Sequence, residues 1–374
     1  MPIQLIRFVL VPCLLVAAGI YLYVYLKRTA AFWKLNVQHK AVKILLALAA
    51  AGLAASAMNI WAIPALVVLY LTVSCLCMEL IQGLIRLFTK KVPLVWNHLY
   101  RSGLVPVAAM LLILGLGYAN MHHIVETSYT MTSDKIAGSY RVALLADLHF
   151  GTSMDTVKLQ QICDRIDAQS PDIVILDGDI VDEHTTLTGM RDCMRILGSM
   201  ESAHGVFYIM GNHDKSRYTD KPNYTTAQLL EAIESGGITL LADRVQNIGP
   251  DLALIGRDDA AYPLEGDVRK TSADLLDQAD GDRFLLLLDH QPLDVEENSR
   301  LGYDLQLSGH THGGQIWPVG LMNLLSGLNY GHDQIGDFDV IVSSGLAGWG
   351  YPIKTQGKAE YVLVDIQGAR YASS

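Results

Sequence analysis

Residues 141–149 read RVALLADLH, an apolar run that ends in an aspartate and a histidine. A short apolar run of this kind predicts a strand that is buried on both faces of a sheet. Two further apolar runs, Ile173–Leu176 and Val206–Met210, are followed directly by DGD and GNHD. The βαβαβ order of these strands and the intervening segments predicts a parallel sheet. The predicted helices cover residues 156–168, 188–200 and 226–235.

Further apolar segments in the C-terminal half are also predicted strands. They cover residues 238–241, 252–255, 284–288, 304–307, 340–343 and 361–365. Few segments with helical spacing lie between them. We therefore expect these strands to form a second sheet or a mixed one.

Polar clusters follow five of the predicted strands. They read DLH at 147–149, GDIVD at 178–182, GNHD at 211–214, DH at 289–290 and GHTHGGQ at 309–315. Because open α/β sheets place their sites at the carboxyl ends of strands, we expect the clusters to converge. Asp147 and His149 are two residues apart, as are His310 and His312, so each pair faces one side of extended backbone. Oxygen and imidazole donors without cysteine favour Mn, Fe or Zn over Ca²⁺ or Mg²⁺.

Taken together, the five clusters resemble the motifs of the calcineurin-like metallophosphoesterase superfamily over about residues 141–365. The GHTHGGQ form behind an apolar N-terminus is similar to the bacterial membrane-anchored members. That group is related in sequence to the UDP-2,3-diacylglucosamine pyrophosphatases of lipid A synthesis. The resemblance implies an α/β fold, built as a two-sheet αββα sandwich. It also implies a dinuclear centre of two divalent metal ions with a metal-bound hydroxide.

The resemblance further implies a role for each matching residue. One metal would be held by Asp147, His149, Asp179 and His312, and the other by Asp179, Asn212, His290 and His310. Asp179 would bridge the two ions. His213 would lie over the phosphate as a catalytic residue, with Asp214 orienting its ring. We interpret Asp182 as a neighbour of the site or a helix cap, with a direct metal ligand as the alternative.

The N-terminal region has a different composition from the rest of the chain. Up to Asn120 there are ten Lys and Arg and a single acid, Glu79. Four apolar runs, at about 5–26, 42–58, 60–80 and 104–120, reach the roughly 17–25 residues that span a bilayer, the second and fourth narrowly. They predict an all-α, four-helix transmembrane region over residues 1–121. A linker with an edge strand over 122–139 and a phosphoesterase domain over 140–374 complete the predicted domains.

Lysine and arginine in the short loops predict the orientation in the membrane. The loops around residues 27–43 and 86–101 carry nine of the ten basic residues, so we expect both in the cytoplasm. Four spans then predict a multi-pass protein of the cell membrane whose catalytic domain lies on the extracytoplasmic side. Basic residues follow the first run, which favours a retained anchor over a cleaved signal peptide. Beyond Asn120, 18 Lys and Arg stand against 37 Asp and Glu, which argues against nucleic acid as a partner.

The sequence therefore predicts a membrane-anchored, metal-dependent phosphoesterase, a hydrolase of phosphate ester bonds. The apolar run 316–328, together with Trp349–Pro352, either lines the mouth of the site or packs on the core. The first interpretation favours a lipid-linked phosphate. Two alternatives stay open: a UDP-2,3-diacylglucosamine pyrophosphatase-like hydrolase, whose substrate is cytoplasmic, and a catalytically silent sensor with the same fold. Monoester or diester specificity, the native metals, the oligomeric state and a Cys163–Cys193 disulfide are also left open.

Overall fold

The computed structural model describes residues 10–89, 91–264, 266, 268–318, 320–321 and 328–369. It divides into two compact units, Met1–Gly117 and Tyr118–Ser374. This boundary lies within a few residues of Asn120, where the charge balance of the sequence changes sign. The abrupt change in composition therefore coincides with a change of structural unit.

The described part of the first unit is helical. Its helices are α1 (Val11–Phe32), α2 (Lys40–Ser56), α3 (Ile63–Phe88), α4 (Leu94–Ser102) and α5 (Leu104–His122), of which the last continues into the second unit. Among the described residues, α1, α3 and α5 are long and apolar enough to cross a membrane. Helix α2 has 17 residues, the lower end of the range for a span. The start of the first predicted span, residues 5–9, lies outside the described residues.

A polar cluster holds three helices of this unit together. The Glu79 carboxylate on α3 accepts hydrogen bonds from Arg28 on α1 and from the Tyr100 hydroxyl on α4, each at 2.5 Å. The Tyr21 hydroxyl donates to the same carboxylate at 3.4 Å. Helix α4 was not predicted, because its nine residues carry too few apolar positions to stand out as a span. Pairing is the usual state of a charged group among apolar helices.

The second unit is an α/β sandwich of two six-stranded sheets. The first sheet has the order β1-β12-β2-β3-β4-β5, and the second has the order β10-β11-β9-β8-β7-β6. Strands β1 to β5 cover Ile124–Ser133, Ser139–Leu145, Ile173–Asp177, Val206–Ile209 and Thr239–Leu240. Strands β6 to β9 cover Arg244–Ile248, Leu252–Gly256, Phe284–Leu288 and Leu305–Ser308, and β10 to β12 cover Gly331–Ile335, Phe338–Val342 and Ala359–Gly368.

Helices cover the outer face of each sheet. Helices α6 (Thr156–Asp167), α7 (Leu187–Gly198) and α8 (Thr226–Ser235) follow β2, β3 and β4, and α9 (Ser272–Leu276) and α10 (Val295–Leu301) accompany the second sheet. Strand β2 has apolar side chains on both faces of its sheet. Ala143 and Leu145 pack towards the helices, whereas Val142 and Leu144 pack between the sheets. Because successive side chains point to opposite faces, a strand in this position must be apolar throughout. The αββα sandwich implied by the sequence is confirmed.

The direction of the strands positions the site. Strands β2, β3, β4 and β5 are mutually parallel, as are β7, β8, β9 and β11. Strand β12 is antiparallel to β2 and separates it from β1. The carboxyl ends of β2, β3, β4, β8 and β9 each lead directly into one of the five polar clusters.

The segment interpreted as a linker with an edge strand, residues 122–139, contains β1. This strand lies at the edge of the first sheet and pairs in parallel with β12 over ten residues. His123 alone separates the end of α5 from the start of β1. The segment is therefore largely structured rather than free. Cys163 on α6 and Cys193 on α7 are both buried and both free.

Candidate metal centre

The first group of expected ligands comes from loops after two strands in different sheets. Asp147 and His149 follow β2, and His312 follows β9. One ligand atom from each of the three lies within 4.8 Å of the others. His312 Nε2 is 3.5 Å from Asp147 Oδ1, and the His149 and His312 rings stack at a centroid distance of 5.1 Å. The structure therefore brings together the residues expected around one metal.

The second group has the same construction. Asp179 follows β3, His290 follows β8 and His310 follows β9, and their ligand atoms also lie within 4.8 Å of one another. His290 Nε2 is 3.1 Å from Asp179 Oδ2. The same oxygen is 4.0 Å from His149 Nε2, which belongs to the first group. Asp179 thus lies between the two groups, as its expected bridging position requires.

Buried neighbours fix the orientation of the ligands. His149 Nδ1 is 3.1 Å from Asp182 Oδ2, and Oδ1 of the same carboxylate accepts from the backbone N–H groups of His184 and Thr185. His290 Nδ1 donates to the backbone carbonyl of Asp177 at 2.7 Å. Asp182 therefore holds a ligand through one oxygen and a turn through the other. Such partners fix the ring orientation of metal-binding histidines.

His213 is placed beside the two groups rather than within them. Its ring centroid is 5.3 Å from that of His149 in an edge-to-face arrangement. Its Nδ1 atom is 2.9 Å from Glu183 Oε2, and both side chains are about nine-tenths buried, with exposures of 10% and 11%. Glu183 was not predicted, although it directly follows the GDIVD motif. The only signal in the sequence was a carboxylate next to a motif, which is common without any function.

The expected pairing of Asp214 with the His213 ring is wrong. The fully buried Asp214 carboxylate instead accepts from the backbone N–H groups of Asp179, Ile180, Val181 and Gly211 and from the Tyr208 hydroxyl, at 2.6 to 3.2 Å. Without Asp214, four buried N–H groups would have no hydrogen-bond partner, which costs more free energy than leaving this carboxylate off one imidazole. The His213 imidazole already has the Glu183 carboxylate as its partner. Asp214 thus shapes the loop that carries Asp179.

The backbone around the ligands adopts an unusual conformation. Five of the seven expected ligands are non-glycine residues in the left-handed region, with φ between 41° and 70°: Asp147, His149, Asp179, His310 and His312. Each such residue costs about 1–3 kcal/mol, so it persists only where the surrounding structure holds it. Residues of this kind cluster at functional sites.

A glycine permits the close approach of the loops. Gly178 has φ of 72°, and a Cβ there would lie 2.7 Å from the backbone nitrogen of Gly211 and from the ring of His290. Neither neighbour is the flexible end of a side chain. Only glycine therefore allows the loops after β3, β4 and β8 to meet at this point.

The buried carboxylates of the site favour positive charge next to them. Although burial alone would lower it, the hydrogen bond to Asp182 and the charge of Asp179 raise the pKa of His149 to about 9. Burial opposes ionisation of Asp179 as well, yet the nearby His290 imidazole lowers the pKa of Asp179 well below its usual value. Burial lowers the pKa of His310 to about 4. The buried carboxylates thus retain protons on some imidazoles, and a cation can take the place of those protons.

The residues present fit a pair of divalent metal ions. Among the described residues, His149 Nε2 and Asn212 Oδ1 are buried atoms without a hydrogen-bond partner. Unpaired buried polar atoms are rare and call for an explanation such as a bound ion. Nitrogen and oxygen donors in this mixture suit Mn, Fe or Zn. The metal-binding residues would be Asp147, His149, Asp179, Asn212, His290, His310 and His312.

Comparison with known proteins agrees with this geometry. Residues 140–314 match the family model described as calcineurin-like phosphoesterase. The second unit thus contains a calcineurin-like phosphoesterase domain over residues 140–314. The match includes all five polar clusters except the final Gln315, and so includes every expected ligand.

Several relatives share this domain. An uncharacterized metallophosphoesterase of Campylobacter jejuni is 25% identical in an alignment of 320 positions that covers 82% of this chain and 80% of that protein. An uncharacterized metallophosphoesterase of Bacillus subtilis is 26% identical in an alignment that covers 68% of this chain and 90% of that protein. A bovine transmembrane protein with metallophosphoesterase domain is 28% identical over 62% of this chain, which spans about half, 54%, of that relative. The chain is thus similar to phosphoesterases with and without a large additional region.

Proposed function

We propose that the chain is a membrane-anchored phosphoesterase that hydrolyses phosphate esters at a dinuclear metal centre. The observation that carries the proposal is the pair of ligand groups that meet at Asp179. Each group supplies at least one carboxylate and two imidazoles within 4.8 Å. Such a pair of ligand groups is what a two-metal hydrolase requires.

Two divalent ions bound there would neutralise the phosphoryl oxygens and supply an activated water at neutral pH. The chain's own residues determine the rest of the reaction. Because Glu183 engages His213 Nδ1, the other ring nitrogen, Nε2, is available to the substrate. A protonated His213 would stabilise charge on the phosphate or give a proton to the leaving oxygen. Proton transfer of this kind contributes about 10²–10⁴-fold to a rate.

The test uses the full-length chain in detergent. After chelation, turnover of bis(p-nitrophenyl) phosphate should be lost, and Mn²⁺, Fe²⁺ or Zn²⁺ should restore it. A parallel assay with p-nitrophenyl phosphate distinguishes diesterase from monoesterase activity. Turnover that survives chelation would contradict the metal-dependent mechanism. Absence of turnover with every metal and every ester would favour the silent sensor instead.

We extend the proposal to a lipid-linked phosphate. Trp317 is 41% exposed and Leu321 is 45% exposed, and both follow His312 closely in the sequence. Ile316 is buried, so only part of the apolar run is available to a ligand. Leu324 and Leu325, in the same run, lie outside the described residues. These two exposed apolar side chains lie four residues apart and close in sequence to an expected metal ligand, which supports an apolar contact surface for a ligand beside the site.

The lipid proposal has its own test. Trp317→Ser and Leu321→Ser should lower turnover of a phospholipid substrate more than turnover of a chromogenic ester. An equal fall on both substrates would mean that these residues only support the fold. In that case a soluble extracytoplasmic phosphoester would be the better assignment.

A further inference from the structure

Two aromatic side chains from different loops lie against the His213 ring, and a third packs on one of them. The Tyr218 ring lies 4.7 Å from the His213 ring between centroids, and the Trp349 ring lies 5.1 Å from it. Tyr262 meets Tyr218 edge to face at 5.5 Å. These loops follow β4, β7 and β11. We call Tyr218, Tyr262 and Trp349 the aromatic rim.

The first member of the aromatic rim is tied to a metal ligand. Asn212 Nδ2 donates to the Tyr218 hydroxyl at 3.2 Å, while Asn212 Oδ1 is the atom left for a metal. The position of this ring is therefore coupled directly to the metal centre. A ring held in this way can pack against a group bound to the phosphate.

The second member is anchored by the last residue of the GHTHGGQ motif. Gln315 Oε1 accepts from the backbone N–H of Trp349 at 3.1 Å, and Gln315 Nε2 donates to the backbone carbonyls of Trp349 at 3.1 Å and of Ile353 at 3.2 Å. Gln315 is buried, with φ of 41°. The motif therefore supplies not only His310 and His312 but also the clamp that fixes the Trp349 segment.

The third member is connected to the loop of His290. Asp259 Oδ1 accepts from the Tyr262 N–H at 2.5 Å, and Asp259 Oδ2 accepts from Gln291 Nε2 at 3.1 Å. Gln291 directly follows His290. The Tyr218 hydroxyl and the backbone segments of Trp349 and Tyr262 are thus each connected by hydrogen bonds to a residue that is, or lies close in sequence to, an expected metal ligand.

The aromatic rim is open to a ligand. Tyr218 is 53% exposed, and Tyr262 and Trp349 are half-buried. Flat aromatic faces stack favourably on other planar rings. A site for a cationic group would be expected to have a carboxylate free to pair with the cation. Here the Glu183 carboxylate is bonded to His213, and the Asp259 carboxylate is bonded to Tyr262 and Gln291. The combination favours a neutral planar ring.

We infer that the aromatic rim is a substrate subsite, which stacks on a planar ring esterified to the phosphate. This inference rests on the proposed function and specifies its substrate class: phosphodiesters in which one ester group carries an aromatic ring. The ring lies against Tyr218 and Trp349, next to His213. The other ester group leaves.

The test compares three diesters with one leaving group. The esters are p-nitrophenyl phenyl, p-nitrophenyl cyclohexyl and p-nitrophenyl ethyl phosphate, so that only the retained group differs. With Mn²⁺ we expect the phenyl ester to have the highest kcat/KM. Trp349→Ala should lower kcat/KM for the phenyl ester about five- to tenfold more than for the cyclohexyl and ethyl esters. Trp349→Phe should keep the preference.

A second pair of variants separates the ring from its hydroxyl. Tyr218→Phe keeps the ring and should keep the phenyl preference, whereas Tyr218→Leu should lose it. Metal content, measured on every variant, shows whether the centre has survived. If the wild type hydrolyses all three esters equally, the inference is overturned and the proposed function stands. If p-nitrophenylphosphorylcholine shows the preference instead, and Trp349→Ala removes it, the rim is a cation site and the inference is overturned. No turnover of any ester would overturn both.

Discussion

His213 depends on Glu183 for its orientation, since the Glu183 carboxylate lies 2.9 Å from Nδ1 and both side chains are about nine-tenths buried. His213→Ala should therefore keep its metals while kcat falls about 10²–10⁴-fold. Glu183→Ala should produce a smaller fall by releasing the ring. The measurement is kcat at saturating substrate together with metal content.

A double-mutant cycle distinguishes a positioning residue from a merely structural one. If Glu183 acts through His213, adding Glu183→Ala to the His213→Ala variant should cost little more activity. Glu183→Gln, which keeps an acceptor oxygen, should restore part of the rate. Independent, additive losses would contradict the pairing, and loss of both metals in His213→Ala would mean that His213 is a ligand.

Metal binding should compete with protons on His149. Its pKa is raised from 6.5 to about 9, so its protonated form stabilises the metal-free fold below pH 6.5, and that contribution is lost as the pH rises through 9. A metal must displace this proton. The increase in Tm on adding Mn²⁺ to the chelated protein should therefore be smallest near pH 6 and grow towards pH 8.5. A Tm increase that is constant over this range would contradict the assignment of His149 as a ligand.

At the residue scale, the sequence predicts the expected ligands but not what surrounds them. Asp147, Asp179 and His290 each follow a recognisable apolar strand, so the direction of the sheet brings them together. Glu183 and Tyr218 depend on how surface loops fold over the site, and no local pattern encodes that. Asp214 was misassigned because adjacency to His213 in sequence suggested a contact, whereas the backbone N–H groups of the β3 loop compete successfully for its carboxylate.

The loop between β3 and α7 is organised by one side chain. Asp214 accepts from four backbone N–H groups and from the Tyr208 hydroxyl in a fully buried setting. Each buried donor left without a partner costs about 1–3 kcal/mol. Asp214→Ala should therefore lower the free energy of unfolding by several kcal/mol and abolish metal binding, because the loop carries Asp179.

Asp214→Asn is the matched control for this element. The amide keeps one acceptor oxygen, so this variant should be intermediate in stability, as measured by denaturant unfolding, and in metal content. A stable Asp214→Ala protein that has lost only its turnover would instead restore a direct catalytic role for Asp214.

At the scale of elements, local patterns predict the central strands well. Strands β3, β4 and β8 have buried, wholly apolar residues or nearly so, and their predicted bounds agree with the structure within one residue. Strands β6 and β10 were not predicted, because their edge positions leave them with exposed polar residues. The insertion of β12 between β1 and β2 joins residues more than 200 positions apart, and only tertiary packing determines it.

The whole molecule combines two compact units with different compositions. Ten basic residues and one acid characterise the first 120 residues, and acids are in excess beyond them. That asymmetry is why the boundary near residue 118 could be read from the sequence. The ends of two predicted spans differ from the structure, because α1 continues to Phe32 rather than ending near residue 26 and α3 continues to Phe88 rather than ending near residue 80. Helix α4 follows Pro93 as a short helix that length criteria do not detect.

The orientation in the membrane stays a prediction of the basic loops. Protease added to intact cells, or to spheroplasts where an outer membrane is present, should degrade the phosphoesterase domain. An epitope tag in the loop around Lys34 should resist digestion until the membrane is lysed and serves as the control. Protection of the domain itself before lysis would reverse the orientation and favour the cytoplasmic UDP-2,3-diacylglucosamine pyrophosphatase-like alternative.

Asp179→Asn tests whether Asp179 bridges a dinuclear metal centre. The backbone N–H of His213 donates to Asp179 Oδ1 at 2.8 Å. Asparagine keeps an oxygen that can accept this hydrogen bond, but it lacks the negative charge and the second oxygen of aspartate. The measurement is the number of metal ions per chain together with turnover of bis(p-nitrophenyl) phosphate. The wild type should hold about two ions, and the variant should lose at least one of them and most of its turnover. A variant with two ions and near-normal turnover would show that Asp179 does not bridge the metals.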